Sequence, residues 1–194
     1  MSTDEYDAFV CYALSDLPTA RKVVAILESA ELTVWWDRGI RDDPRQGTVT
    51  EIILHLLPPL AIQCRYLVFL SSTHALASDW VIVELGFFID AKKPTIMWHP
   101  KEDADALDKL EKTRPGEKYD EVVRLLRSPQ IIAKLDRGRQ EVDFVAKNIA
   151  QLIRLFKYIE RKGQLVTEAT VMNEYPNYLQ EDMQFMLGFL GSGS

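Results

Sequence analysis

Five short apolar runs, most of them followed by a stretch of helical periodicity, dominate this sequence and leave few folds open to it. The runs are YDAFVCYA at 6–13, LTVWW at 32–36, YLVFL at 66–70, TIMW at 95–98 and a weaker QIIAKL at 130–135. Because they are continuously apolar rather than alternating, they suit strands covered on both faces. Between the first two, Ser15 and Asp16 are N-cap types, Pro18 suits a first helical turn, and Ala20, Val23, Val24 and Leu27 share one face. A helix through Thr50, Ile53, Leu54 and Leu57 is expected to stop at Pro58 and Pro59. Ser78 and Asp79 open a helix over WVIVELGFFID, and Val142, Val145, Ile149, Leu152 and Phe156 mark another that ends at Gly163. Strands alternating with helices imply an α/β fold, a flavodoxin-like five-stranded parallel sheet in the order 2-1-3-4-5 with helices on both faces.

In such folds ligands sit beyond the carboxyl ends of the strands, where strand order reverses. That point lies between the first and third strands, so the loops at 13–16, 37–47 and 71–80 are the ones to inspect. The charged stretch 101–121 reads as solvated loop and helix faces.

A length of 194 residues suits one domain of usual size with a small appendage. The net charge of −6 and a pI near 5.2 argue against a nucleic-acid partner or an anionic membrane surface, both of which need a basic face. Cys11 and Cys64 lie beside apolar runs and read as buried thiols in a reducing compartment. No run is long enough to span a membrane, and the acidic N-terminus is unlike a signal peptide, so the expected location is the cytoplasm. The closing Gly191, Ser192, Gly193 and Ser194 read as an appended linker. After Gly163 there is no Lys or Arg, only Glu168, Glu174, Glu181 and Asp182, so the tail holds −4 of the charge. Leu179, Met183, Met186 and Leu190 recur there at helical spacing, for docking on the same domain or for a partner.

Several chemistries fail on residue type. The loop Ala13, Leu14, Ser15, Asp16 has no glycine to bring backbone amides against phosphate, which argues against a P-loop, a dinucleotide fingerprint or a flavin site. Ser71 and Ser72 stand where a phosphoacceptor domain needs an aspartate. His55, His74 and His99 are dispersed, so no metal site is expected, and no serine sits on a glycine-flanked elbow. What stands out is Trp80 with Glu84 four residues on, one face of an otherwise apolar helix. Glu84 is either the polar side of an amphipathic helix or a buried functional acid. Trp35, Trp36 and Trp98 read as core.

Taken in order, YDAFVCYA, VWWD with its Gly- and Arg-containing loop, YLVFLSS and SDWVIVELGFF resemble the successive boxes of a Toll/interleukin receptor (TIR) domain, of the bacterial NAD-cleaving type. The resemblance covers residues 6–156, and its most specific part is W-x-x-x-E at Trp80 to Glu84. It implies a TIR domain over 1–162, an acidic extension with an amphipathic helix over 163–190, and a linker over 191–194. It also implies that Glu84 is the catalytic residue of NAD cleavage. Nicotinamide leaves as a neutral ring from a cationic bond, so no general acid is needed and one carboxylate suffices, unlike ordinary glycoside hydrolysis with its two. Glu84 would oppose the positive charge that develops on the ribose. Trp80 would stack on a substrate ring, while Ala13, Leu14, Ser15, Asp37, Arg38 and Gly47 would line the rest. Arg38, Arg41 and Arg45 balance Asp37, Asp42 and Asp43 in the loop after the second strand, the BB loop of the family. The chain departs from the pattern at Cys11, where many relatives carry serine, and at Ala13 and Leu14.

The expected activity is therefore an NAD nucleosidase or cyclase that releases nicotinamide and an ADP-ribose-derived signal. NAD is its substrate, and no cofactor is expected. The chain is similar to the TIR component of Thoeris-like antiphage defence, which implies self-association through TIR contacts, a separate effector that reads the product, and a phage-derived trigger. Two alternatives stand beside it, a non-catalytic TIR adaptor and an enzyme like the nucleoside deoxyribosyltransferases.

Overall fold

A computed structural model describes residues 5–37, 55–99, 130–136 and 141–191 of the chain. Its sheet is all-parallel, in the predicted order: β2 (Val34–Trp36), β1 (Tyr6–Cys11), β3 (Cys64–Leu70), β4 (Thr95–His99) and β5 (Ile131–Asp136). The pleat divides the apolar runs into two cores. Ala8, Val10, Tyr66, Val68 and Ile96 face one side, under α1 (Leu17–Ser29) and α5 (Val142–Arg161). Phe9, Cys11, Leu67, Phe69 and Met97 face the other, under α2 (Leu57–Gln63), α3 (Thr73–Leu76) and α4 (Asp79–Asp90). Helices on both faces explain why the strands lack alternation.

Some boundaries differ from the sequence expectation. Pro58 and Pro59 do not end a helix; they sit in the first turn of α2, where a missing N–H is an orphan in any case. Thr50, Ile53 and Leu54 lie outside the described residues, as does the stretch 101–121. The polar stretch after β3 forms the one-turn α3, capped by the Ser72 hydroxyl, which accepts from the Ala75 N–H at 3.0 Å. Gly163 ends α5 as expected: at φ +74 its N–H reaches the Glu160 carbonyl at 2.9 Å, a conformation that costs glycine little.

The expected tail helix is α6 (Glu168–Gly191), which packs on α5. Val171 is buried there, the Tyr178 ring meets Tyr158 edge-on at 5.7 Å, and Lys162 bridges Glu174 at 2.8 Å. Leu179 is exposed rather than docked, and the side chains of Met183, Met186 and Leu190 lie outside the described residues. No helix among the described residues is long and apolar enough to cross a membrane.

At the amino edge Asp7 anchors β1. Its carboxylate takes the Lys157 ammonium at 2.6 Å and the Thr33 N–H at 3.0 Å. Burial pushes this carboxyl up, but Lys157 and Thr33 outweigh it and hold it below its ordinary value. A depressed carboxylate stabilises the fold above its unfolded value, ~3.9, and that stability is lost as pH falls through the lower folded value. Denaturation midpoints measured between pH 5 and pH 2 should therefore fall more steeply in the wild type than in Asp7→Asn. Equal slopes would show that the pair contributes nothing.

Candidate active site at the carboxyl edge of the sheet

Helix α4 forms because Ser78 caps it, accepting the Val81 N–H at 3.4 Å, and Asp79 lies in a first turn that favours negative charge. Its apolar face is pressed on β1 and the other strands by Val81, Leu85, Phe88 and Ile89. That docking carries Glu84 inward, where it is only 2% exposed. A buried carboxylate is costly unless hydrogen bonds replace its water. Two do so here: the Trp80 indole N–H donates to Oε1, and the Cys11 thiol, at the end of β1, donates to Oε2 at 3.1 Å. Of the two readings of Glu84, the amphipathic polar face is thereby excluded.

Trp80 is half-buried, its ring orientation set by the bond to Glu84. Trp35 stacks on Phe9 with centroids 4.9 Å apart and Trp98 is buried, both core roles as expected. Of the loop residues, Ala13 is buried, while Leu14 and Ser15 are exposed in a short 3-10 turn over Leu14–Asp16. Asp37 is buried, and its backbone carbonyl accepts from the Tyr12 hydroxyl. Arg38 and Gly47 lie outside the described residues, as do Arg41, Asp42, Asp43 and Arg45.

Three residues of this edge escaped the sequence reading. Asp16 makes no capping bond to α1; its carboxylate instead accepts from the Ser72 hydroxyl, across the crevice between β1 and β3. Pro18, in the first turn, already removes one N–H that a cap would serve. Ser71 donates to the Trp98 carbonyl at 2.9 Å, joining β3 to β4. The sequence marks Cys11 as a buried thiol and as a departure from the family pattern but not as a partner of Glu84, although Phe9, Cys11 and, just past the strand, Ala13 alternate onto one face and so meet whatever α4 presents.

Gly86 lies two residues past Glu84, on the far side of α4, and a Cβ there would meet nothing within 4 Å. Gly86→Ala should stabilise the chain by about 0.5–1 kcal/mol, read as a higher thermal midpoint. A lower midpoint would mean that the space is needed.

A cleft of about 460 Å³ lies at the opposite edge between α1, β3, α5 and α6. Of its four cations, Arg65 pairs with Glu160 at 3.4 Å, Lys157 with Asp7, and Arg154 donates to the Ala30 carbonyl at 2.9 Å, while Arg161 also lines the cleft. Two helix carboxyl ends border it, which disfavours an anion.

Among known proteins, no family matches the chain. No curated protein matches it either.

Proposed function

We propose that the chain is a TIR-type enzyme that cleaves the nicotinamide–ribose bond of NAD, with Glu84 as the catalytic residue. The observation that carries this reading is a carboxylate buried to 2% exposure at the carboxyl edge of a parallel sheet, flanked by an indole one turn earlier on the same helix. Burying a carboxylate costs folding free energy even when hydrogen bonds offset part of it, so such a group points to chemistry rather than to stability.

In the reaction the C–N bond to ribose breaks and its electron pair leaves with nicotinamide, which departs neutral. The sugar carbon becomes electron-poor, and Glu84 opposes that charge. Water, or an acceptor atom of the same ADP-ribose, then bonds to the carbon and gives up a proton. In this reading Trp80 would offer its ring to a substrate ring, and Leu14 to Asp16 and Asp37 would line the rest of the site. In this proposal the protein works in the cytoplasm, self-associates, answers a phage-derived trigger, and hands its product to a separate effector.

The test is incubation with NAD, following nicotinamide and identifying the other product by mass, together with NAD levels in phage-infected cells that express the chain. Nicotinamide release that Glu84→Ala abolishes is the expected result. Release undiminished by that change, or none in either setting, overturns the proposal, and function lost only through changes in the loop 38–47 would favour the adaptor.

A further inference from the structure

We infer that Cys11 is a positioning residue for Glu84, its thiol proton holding Oε2 so that the carboxylate stays ionised and aimed at the crevice. The inference rests on the NAD-cleaving reading for its kinetic arm only. Cys11 ends β1, is fully buried, and points to the face that α4 covers. Its Sγ lies 3.1 Å from Glu84 Oε2, while Trp80 takes Oε1, so the two oxygens are held from two different elements. Trp80 belongs to the same helix as Glu84 and moves with it. Cys11 belongs to β1, an interior strand of the sheet, and its bond alone of these two refers the carboxylate to the sheet.

The packing around that bond supports a fixed geometry. Two residues before Cys11, Phe9 meets Phe88 with ring centroids 4.6 Å apart, and Phe88 lies four residues after Glu84. Strand and helix are thus matched at two successive rungs, one apolar and one polar. A thiol is a weak donor. Buried beside a carboxylate it still favours the charged form over the neutral one, because a protonated Glu84 would need no donor there.

The experiment compares the full-length wild type with Cys11→Ala and Cys11→Ser in two readouts. The first is nicotinamide release across pH. Cys11→Ala should lower kcat about tenfold, the factor of one modest hydrogen bond to a charged group, with KM changed less than about twofold. The acid limb of its kcat profile should move to higher pH, since losing a donor disfavours the carboxylate form. Cys11→Ser, which keeps a proton donor at that place, should recover both the rate and the limb. The second readout is the carbon-13 titration of the Glu84 carboxyl, assigned with Glu84→Gln, and it needs no NAD. Its midpoint should be higher in Cys11→Ala than in the wild type and in Cys11→Ser.

Unchanged kcat and an unmoved acid limb in Cys11→Ala overturn the inference. So does a serine variant as impaired as the alanine one, which would show that thiol volume matters and the donated proton does not. If the wild type cleaves no NAD but the titration moves as stated, the catalytic reading falls and the positioning stands. If the titration does not move, the positioning falls whatever the activity.

Discussion

Glu84→Gln is expected to lower nicotinamide release by about 10²–10³-fold while leaving the chain folded, because the change removes charge and almost no volume. An amide in that place can still accept from Trp80 or Cys11, so the two bonds that hold the side chain need not both be lost. What is lost, in the proposed reaction, is the negative charge opposite the developing cation. Burying that charge is a load on the native state, and neutralising it should leave the denaturation midpoint unchanged or raised. Activity and stability therefore part company at this position. A fall in activity accompanied by a fall in midpoint would instead mark Glu84 as a structural residue.

The second large effect concerns the helix that carries this group. Phe88 is 1% exposed, and its ring is tilted against Phe9 of β1. Phe88→Ala should destabilise the chain by about 3–5 kcal/mol, the range for deleting a buried aromatic ring, and urea denaturation reads it directly. Against a total of about 5–15 kcal/mol for a domain this is a large share. Phe88→Leu, which keeps much of the apolar volume, should lose less than half as much. A loss under about 1 kcal/mol for alanine would mean that α4 is not held through this contact.

The fold was largely legible in the sequence because its strands are buried on both faces. Runs such as YLVFL cannot serve as surface elements, and their alternation with helical patterns leaves the doubly wound sheet as the simplest arrangement. The prolines at 58 and 59 misled because a proline pair ends a helix or begins one with equal ease, and only the packing of Leu57, Leu60 and Ala61 decides which. At the site, Trp80 and Glu84 were legible as a pair because four residues on a helix always meet. Cys11 with Glu84, and Asp16 with Ser72, were not: they lie 73 and 56 residues apart, and no local period connects them. Asp16 also matches a helix cap in type and place, so the local rule competed with the tertiary bond, and the bond prevailed.

The pleat of β1 gives one more consequence. Cys11 and Tyr12 point to opposite faces, the thiol towards Glu84 and the tyrosine towards the core under α1, with its hydroxyl on Asp37. Sliding this strand by one residue against its neighbours would exchange them, bringing a phenol ring under α4 and a thiol to the place that tethers the second strand. Strand register, ordinarily a matter of folding alone, here selects which atom the carboxylate meets. A chain caught in the neighbouring register could keep its helices and most of its hydrogen bonds and still lack the bond between Cys11 and Glu84.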